Sequence, residues 1–433
     1  MSAPAAGRAR LGGLAITVLI ALSLAHGLGG SYWPAWPAGL CAWLVAVLLV
    51  PTVGRYQRLQ TAGMTLAGGA GIAYAAGHGD SGWWPALLDG NQAILAMLAT
   101  VSFLRVGTRA DRHTVLPRGR GAILQTLLAV HLFGAIINIS AAFVVGQRIS
   151  AAGSLTPLQA KVISRAFAAA ACWSPLFASM AVVLHYVPQV SIVAVVRVNL
   201  VLAALLLAYA TWDLGRDRDA ADFTGFPLQR EALTAPLTLS ALVLLLYTQP
   251  TGWSILTTIV VAALLCVLVL RIAQPLAVTR RLLRQHIERE LPRMGGEFAL
   301  FIGATVLAAG IAAVVRLHPL ALVVDPPNAS AAVPLLVALV VITLCGIHPV
   351  ISVATLSGLF PAHLTAPNVV ATVALMAWSV TLATSPFSGT TLALQGRFGI
   401  SATHFLRWNF RYTLVGLATS SALLVLAGGY GWI

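Results

Sequence analysis

The chain has 433 residues, 59% of them hydrophobic and only 9% charged, with a formal net charge of +14. Its mean hydropathy is +0.89, and a soluble domain carries roughly 25% charged residues, so a water-soluble enzyme is excluded. The basic excess sits in short loops between apolar runs rather than in an aromatic-interleaved patch, which argues against a nucleic-acid partner.

Windows of about 19 residues predict the membrane spans in chain order. Residues 11–28 follow Arg8 and Arg10 without a small-residue cleavage site, so they read as a first helix rather than a signal peptide. Spans 37–53, 61–77 and 88–106 come next. Segment 121–147 carries Asn138-Ile139-Ser140 at its middle. Span 156–187 is interrupted by Ser174-Pro175, and 191–212 follows. A linker, 213–234, leads to 235–249, 252–275 and 296–316. Between the last two, Leu283, Ile287 and Leu291 form the apolar stripe of an amphipathic interfacial helix over 280–291. Segment 332–360 holds His348-Pro349 and Ser352, span 366–396 is interrupted by Ser385-Pro386, and 407–430 closes the chain. The four cysteines, Cys41, Cys172, Cys266 and Cys345, lie in apolar segments without metal-ligand spacing and read as buried small residues.

Arginine placement gives the orientation. Arg8/Arg10, Arg55/Arg58, the cluster Arg105 to Arg120, Arg216/Arg218/Arg230, the cluster Arg271 to Arg293 and Arg397/Arg407/Arg411 fall on one side if spans alternate. The positive-inside rule then puts the N-terminus in the cytoplasm and the C-terminus outside, in a bacterial cytoplasmic (inner) membrane. The alternation holds only if 121–147 and 332–360 enter and leave on the same side, as re-entrant hairpins, the first opening inward and the second outward.

The two halves resemble each other. Gly134 aligns with Gly346 and Ser140 with Ser352 at an offset of 212. Ser174-Pro175-Leu176-Phe177-Ala178-Ser179 aligns with Ser385-Pro386-Phe387-Ser388-Gly389-Thr390 at an offset of 211. The fold class is therefore an all-α integral membrane protein of about 11 spans plus two re-entrant hairpins, with an inverted-topology repeat and broken helices. The predicted organisation is N-terminal scaffold helices over 1–60, a first repeat over 61–212, the cytoplasmic linker 213–234 and a second repeat over 235–430.

A proline inside a span frees carbonyls of the preceding turn, and a half-helix starting there points its N–H groups and positive dipole end into the protein. Two such breaks and two hairpin tips form an anion-receptive site, and the freed carbonyls can hold a cation. The candidate binding residues are Asn138, Ser140, Ser174, Pro175, His348, Ser352, Ser385, Pro386, Ser388, Gly389 and Thr390, with sodium near Asn138, Ser388 and Thr390 as one option. All twelve carboxylates fall in loops or at span ends, which favours an anionic or neutral substrate.

This layout resembles the ion transporter superfamily, whose best-described members are the divalent anion:sodium symporters. That family carries Ser-Asn-Thr triplets at tips and breaks; Asn138-Ile139-Ser140 and Ser388-Gly389-Thr390 share part of them. The resemblance implies a homodimer whose transport domains move like elevators against a scaffold.

Among individual residues, His348 reads either as an anion or proton site or as a neutral tip histidine satisfying freed carbonyls. Asn138 either meets ion or substrate or closes its turn. His131 reads as a packed histidine. Lys161 and Arg165 are expected to snorkel to the inner surface, with a cytoplasmic route to the site as the other reading. The functional expectation is a secondary transporter of a small anion, coupled to sodium or protons, with membrane lipid as its surroundings and no cofactor. No Gly-x-x-x-x-Gly-Lys-Ser/Thr loop is present to drive it with ATP. The alternatives are a membrane subunit of a binding-protein-dependent carrier, an oxyanion exporter, and a cell-envelope membrane enzyme.

Overall fold

The computed structural model describes residues 3–107, 115–151, 153–187, 189–228, 234–272, 274–318, 326, 328–357, 359 and 364–433. The first helices are α1 (Ala3–Gly29), α2 (Trp36–Leu49), α3 (Arg55–Gly77), α4 (Trp84–Asp89), α5 (Gln92–Ser102) and α6 (Leu104–Gly107). Then come α7 (Arg120–Ile137), α8 (Ile139–Ile149), α9 (Pro157–Ala170), α10 (Ala178–Tyr186) and α11 (Ile192–Leu214). The second half has α12 (Thr234–Tyr247), α13 (Ile255–Arg271), α14 (Leu276–Gln285), α15 (Gly295–Leu317), α16 (Val333–Leu344), α17 (Pro349–Ser357), α18 (Pro367–Leu382), α19 (Gly389–Phe398) and α20 (Ala402–Gly429). Among the described residues there is no strand, only the isolated bridges Arg118–Thr224 and Ala151–Ser154.

Among the described residues, four stretches of helix are long and apolar enough to cross a membrane: Gly7–Gly29, Ile192–Leu214, Leu276–Leu317 and Ala402–Gly429. They expose large apolar side chains such as Leu14, Val18, Val193, Leu200, Leu414 and Val425. Helices that are apolar outside as well as inside belong in lipid, and the chain is an all-α multi-pass membrane protein.

Contacts divide it into two compact units that do not follow chain order: Met1–Arg109, Leu237–Val323 and Ala354–Leu359 form one, and Ala110–Pro236, Val324–Val353 and Phe360–Ile433 the other. In the first unit α3 packs along α15. At the crossing the backbones meet with no room for a side chain: a Cβ on Gly310 would lie 2.2 Å from the Gly68 carbonyl oxygen, and one on Gly68 would lie 2.3 Å from that of Val306. Small residues are what let membrane helices approach this closely.

Some expectations change here. Span 88–106 is not one helix, because Asn91 takes a positive φ of 59° and turns its side-chain amide onto Phe301 O and Thr305 Oγ1, at 3.0 and 2.8 Å. Gly90-Asn91 breaks the helix locally, and the bonds to Phe301 and Thr305 fix the break there. The amphipathic segment is α14, which runs on through a π-turn (His286–Glu290) and a 3-10 turn (Leu291–Met294) into α15. The π-turn buries His286, whose Nε2 meets Ser102 Oγ at 2.8 Å. Of the cysteines, Cys172 and Cys266 are buried, but Cys41 is half-buried and Cys345 exposed.

The second unit holds every candidate site residue. Helix α9 opens with Pro157 and a capping box, in which Gln159 N donates to Thr156 Oγ1 and Thr156 N to Gln159 Oε1. Its partner in the other half, α18, likewise opens on a proline, Pro367. Proline is favoured there because the first helical amides have no acceptor anyway.

Candidate functional site: two broken helices and their tips

Both predicted breaks are present. Helix α9 stops at Ala170 and α10 begins at Ala178; α18 stops at Leu382 and α19 begins at Gly389. Pro175 and Pro386 lie inside these gaps, where a missing amide costs nothing to a helix.

The two gaps share one hydrogen-bond scheme. Ser174 N donates to Ala170 O and Phe177 N to Ser174 O; Ser385 N donates to Thr381 O and Ser388 N to Ser385 O. The serine hydroxyls accept from the amide two residues on, Leu176 N at 3.2 Å and Phe387 N at 3.4 Å. Each hydroxyl then donates to a hairpin carbonyl: Ser174 Oγ to Ala135 O, and Ser385 Oγ to Thr343 O at 3.0 Å. Each break is thereby latched to the first arm of its own hairpin. Serine suits the task because one hydroxyl both donates and accepts.

The hairpin tips are also equivalent, but not in the register of the sequence alignment. The residues that turn the chain through positive φ are Asn138 (φ 56°) and Gly346 (φ 110°), and each latch carbonyl lies three residues before its tip. Gly134, aligned with Gly346 by residue identity, instead lies inside α7. Gly346 ends α16 in a Schellman turn: its N–H donates to Thr343 O and that of Ile347 to Ile342 O. Identity misled because equivalence at a tip is set by backbone conformation, and Asn and Gly both tolerate positive φ.

The remaining candidates fall into place individually. Asn138 Nδ2 donates to Leu176 O at 3.3 Å, tying tip to break. The Ser140 side chain lies outside the described residues. His348 is the N-cap of α17: its Nδ1 accepts from Val350 N at 3.2 Å, and its ring stands edge-on to Trp378 at 5.8 Å. It therefore meets an amide rather than freed carbonyls. Ser352, one turn further, is buried and its hydroxyl has no partner among the described residues. Ser388 caps α19, accepting from Thr391 N at 3.2 Å and donating to Leu382 O at 2.8 Å. Thr390 is buried, and a Cβ on Gly389 would meet nothing within 4 Å, so the start of α19 borders open space.

Several freed carbonyls are already engaged. Ser179 donates to Ala171 O, Thr391 to Ser385 O, Asn409 to Ala383 O and Ser379 to Ala168 O. His131 is packed: it accepts from Trp173 Nε1 at 3.1 Å and reaches Ala166 O at 3.3 Å through Nδ1. Arg165 does not snorkel. It is buried, bonded to Asp213 Oδ2 (2.6 Å), Asn409 Oδ1 (2.8 Å) and Trp408 O (3.3 Å), and lies over the Tyr412 ring at 5.0 Å. A buried guanidinium is held by such a set of acceptors.

Sequence reasoning missed Ser379, Thr391, Asn409 and Thr413. The last donates to Val380 O at 2.7 Å, and its Oγ1 lies 2.6 Å from Thr384 Oγ1. A signal was present: Asn409, Thr413, Gly416 and Ser420 recur at helical spacing down one face of α20, and all are buried.

No protein-family model matches the chain, and no curated protein does. Among solved structures it is similar to the Alcanivorax borkumensis YdaH transporter, described as having an unusual topology, with a TM-score of 0.48 and 15% identity over 78% of this chain and 85% of that one.

Proposed function

We propose that the protein is a secondary active transporter of a small anion, a carboxylate or an oxyanion, working by elevator-like alternating access in a bacterial cytoplasmic membrane. The observation that carries this reading is the start of α19. Gly389 and Thr390 supply the first two amides of that half-helix, and neither meets an acceptor among the described residues. A Cβ on Gly389 would meet nothing within 4 Å, so there is room beside this helix start. Uncapped amides at a helix start favour negative charge. The buried Ser352 hydroxyl has no partner among the described residues, and an orphaned hydroxyl in a membrane protein asks for one. The start of α10 also lacks a side-chain cap.

Sodium or a proton couples the movement in this reading. Of the oxygens considered for sodium, Ser388 Oγ is already committed to Leu382 O, Thr391 N and Thr391 Oγ1, which leaves those of Asn138 and Thr390. The protein acts as a homodimer in the same reading, giving the moving units a fixed frame.

The test is uptake into proteoliposomes, paired with thermal stability of the purified protein against a panel of carboxylates and oxyanions in sodium, potassium and choline buffers. A ligand that binds only the folded state stabilises it by about 2.7 kcal/mol at a hundredfold excess over its Kd. One anion that shifts the melting point and is accumulated is the expected result, with sodium or pH dependence identifying the coupling ion. Silence across the panel in both assays overturns the reading.

A further inference from the structure

A cavity of about 420 Å³, separate from the two breaks, lies where α9, α11 and α20 meet, lined by Lys161, Arg165, Trp212, Asp213, Arg216, Asp217, Trp408 and Arg411 among others. Four cations face two carboxylates there. The floor is Arg165, neutralised by Asp213, and one wall is Lys161, paired with Asp217. At the rim, Arg216 and Arg411 are exposed and form no ion pair among the described residues. The Arg216 guanidinium is stacked 4.0 Å over the Trp212 ring. The pocket thus has a surplus of two positive charges, held by the two rim arginines.

The setting adds a second argument. The pocket sits at the C-terminal end of α11 and beside the first turns of α20, ends that the arginine pattern of the sequence assigns to the basic side of the membrane. Further along these helices, Leu205 and Leu414 are exposed and apolar, and Trp212 is exposed beside the pocket. Tryptophan at the water–lipid boundary, an apolar strip beyond it and unpaired arginines above it match a phosphorylated headgroup with its chains in the membrane. Arginine suits the role because its fork binds two phosphate oxygens at once.

We propose that this pocket binds a phosphate ester, either as the headgroup of an anionic phospholipid or as a soluble phosphate ester, through Arg216 and Arg411. The site rests on its own charge and geometry and does not depend on the transport reading.

The test compares the full chain in detergent with R216Q/R411Q and with R280Q/R281Q, a control that removes the same charge from α14. Melting points are measured with added phosphatidylglycerol, with phosphatidylcholine and with sn-glycerol 3-phosphate. Because neither rim arginine holds an ion pair among the described residues, the R216Q/R411Q protein is expected to fold. The proposal expects a shift with phosphatidylglycerol that exceeds the phosphatidylcholine shift, survives in the control and falls at least twofold in R216Q/R411Q. A shift with glycerol phosphate, lost in the same variant, identifies the soluble ester as the ligand instead. Equal shifts in all three proteins, or none with either phosphate compound, overturn the proposal. Native mass spectrometry of the purified protein is an independent check: bound anionic lipid retained by the control and lost from R216Q/R411Q supports the proposal, and equal retention overturns it.

Discussion

Ser379 donates a hydrogen bond of 2.8 Å to the carbonyl of Ala168, the residue 211 positions before it. That separation is the offset between the two Ser-Pro motifs, so α9 and α18 touch at equivalent points of the two repeats. A contact between equivalent residues is what an approximate two-fold relation between the repeats requires where they cross. Both helices break within a few residues of this contact.

Ser379→Ala is expected to cost about 1 kcal/mol, the net worth of one hydrogen bond. Ser379→Leu is expected to cost more, because both helices are buried at the crossing and extra methylenes there force them apart at about 1–3 kcal/mol. Unfolding by heat or denaturant checks the order; equal melting points for the two variants would show that the crossing is loosely packed.

The latches predict a paired result. Ser174→Ala and Ser385→Ala each remove a donor to a hairpin carbonyl and an acceptor for a gap amide. Each is expected to destabilise by about 1–3 kcal/mol, the cost of leaving buried polar groups unmatched. Faster amide exchange should be confined to the hairpin and gap of the altered repeat. Exchange that rises equally in both repeats would contradict separate latching.

For His348 the cap and a chemical role separate by substitution. Asparagine is a good N-cap, so His348→Asn should keep the melting point near that of the parent, whereas His348→Ala should lose about 1 kcal/mol. Uptake that survives in the asparagine variant assigns His348 to capping alone; uptake lost there while stability is kept assigns it to transport.

Acid should weaken two ion pairs whose carboxylates, Asp80 and Asp217, lie outside the spans. Asp80 is held below the ordinary carboxylate range chiefly by the hydrogen bond from Arg316, at 2.8 Å. For Asp217, burial pushes upward, but the hydrogen bond from Lys161 and those from backbone amides outweigh it, and the net direction is also down. A folded-state pKa below the unfolded one gives stability that is present above the unfolded value and is lost as pH falls through the folded value. Thermal stability should therefore drop below about pH 4, the ordinary carboxylate value, and by less in Asp80→Asn and Asp217→Asn. An identical acid limb in parent and variants would show that other groups control it.

Gly310→Ala should be among the most harmful single-methyl changes in the first unit. Its Cβ would sit 2.2 Å from the Gly68 carbonyl oxygen, which is backbone and cannot rotate away. A loss of about 1–3 kcal/mol is expected, measurable as a lower melting point, while alanine at Gly69, where nothing lies within 4 Å, should be neutral or stabilising.

The sequence by itself determined the solvent, most of the helical spans and the two Ser-Pro breaks. Lipid residence follows from composition, and a proline inside an apolar run removes an amide wherever the helix sits. Ser174-Pro175 and Ser385-Pro386 were legible for that reason. Only the tertiary structure decided what the polar groups do. Arg165 has the sequence position of a snorkelling side chain, yet Asp213 and Asn409, from two other helices, surround it and hold it inside. Bonds from Asn91 to α15 fix the break in span 88–106, and the hairpin register follows positive φ at Asn138 and Gly346 rather than residue identity. For the two buried side chains the physical reason is the same. A buried polar group must find a partner, and that partner is supplied by whichever helix packs beside it, often hundreds of residues away. The hairpin register depends on backbone conformation, which two different residue types satisfy equally well.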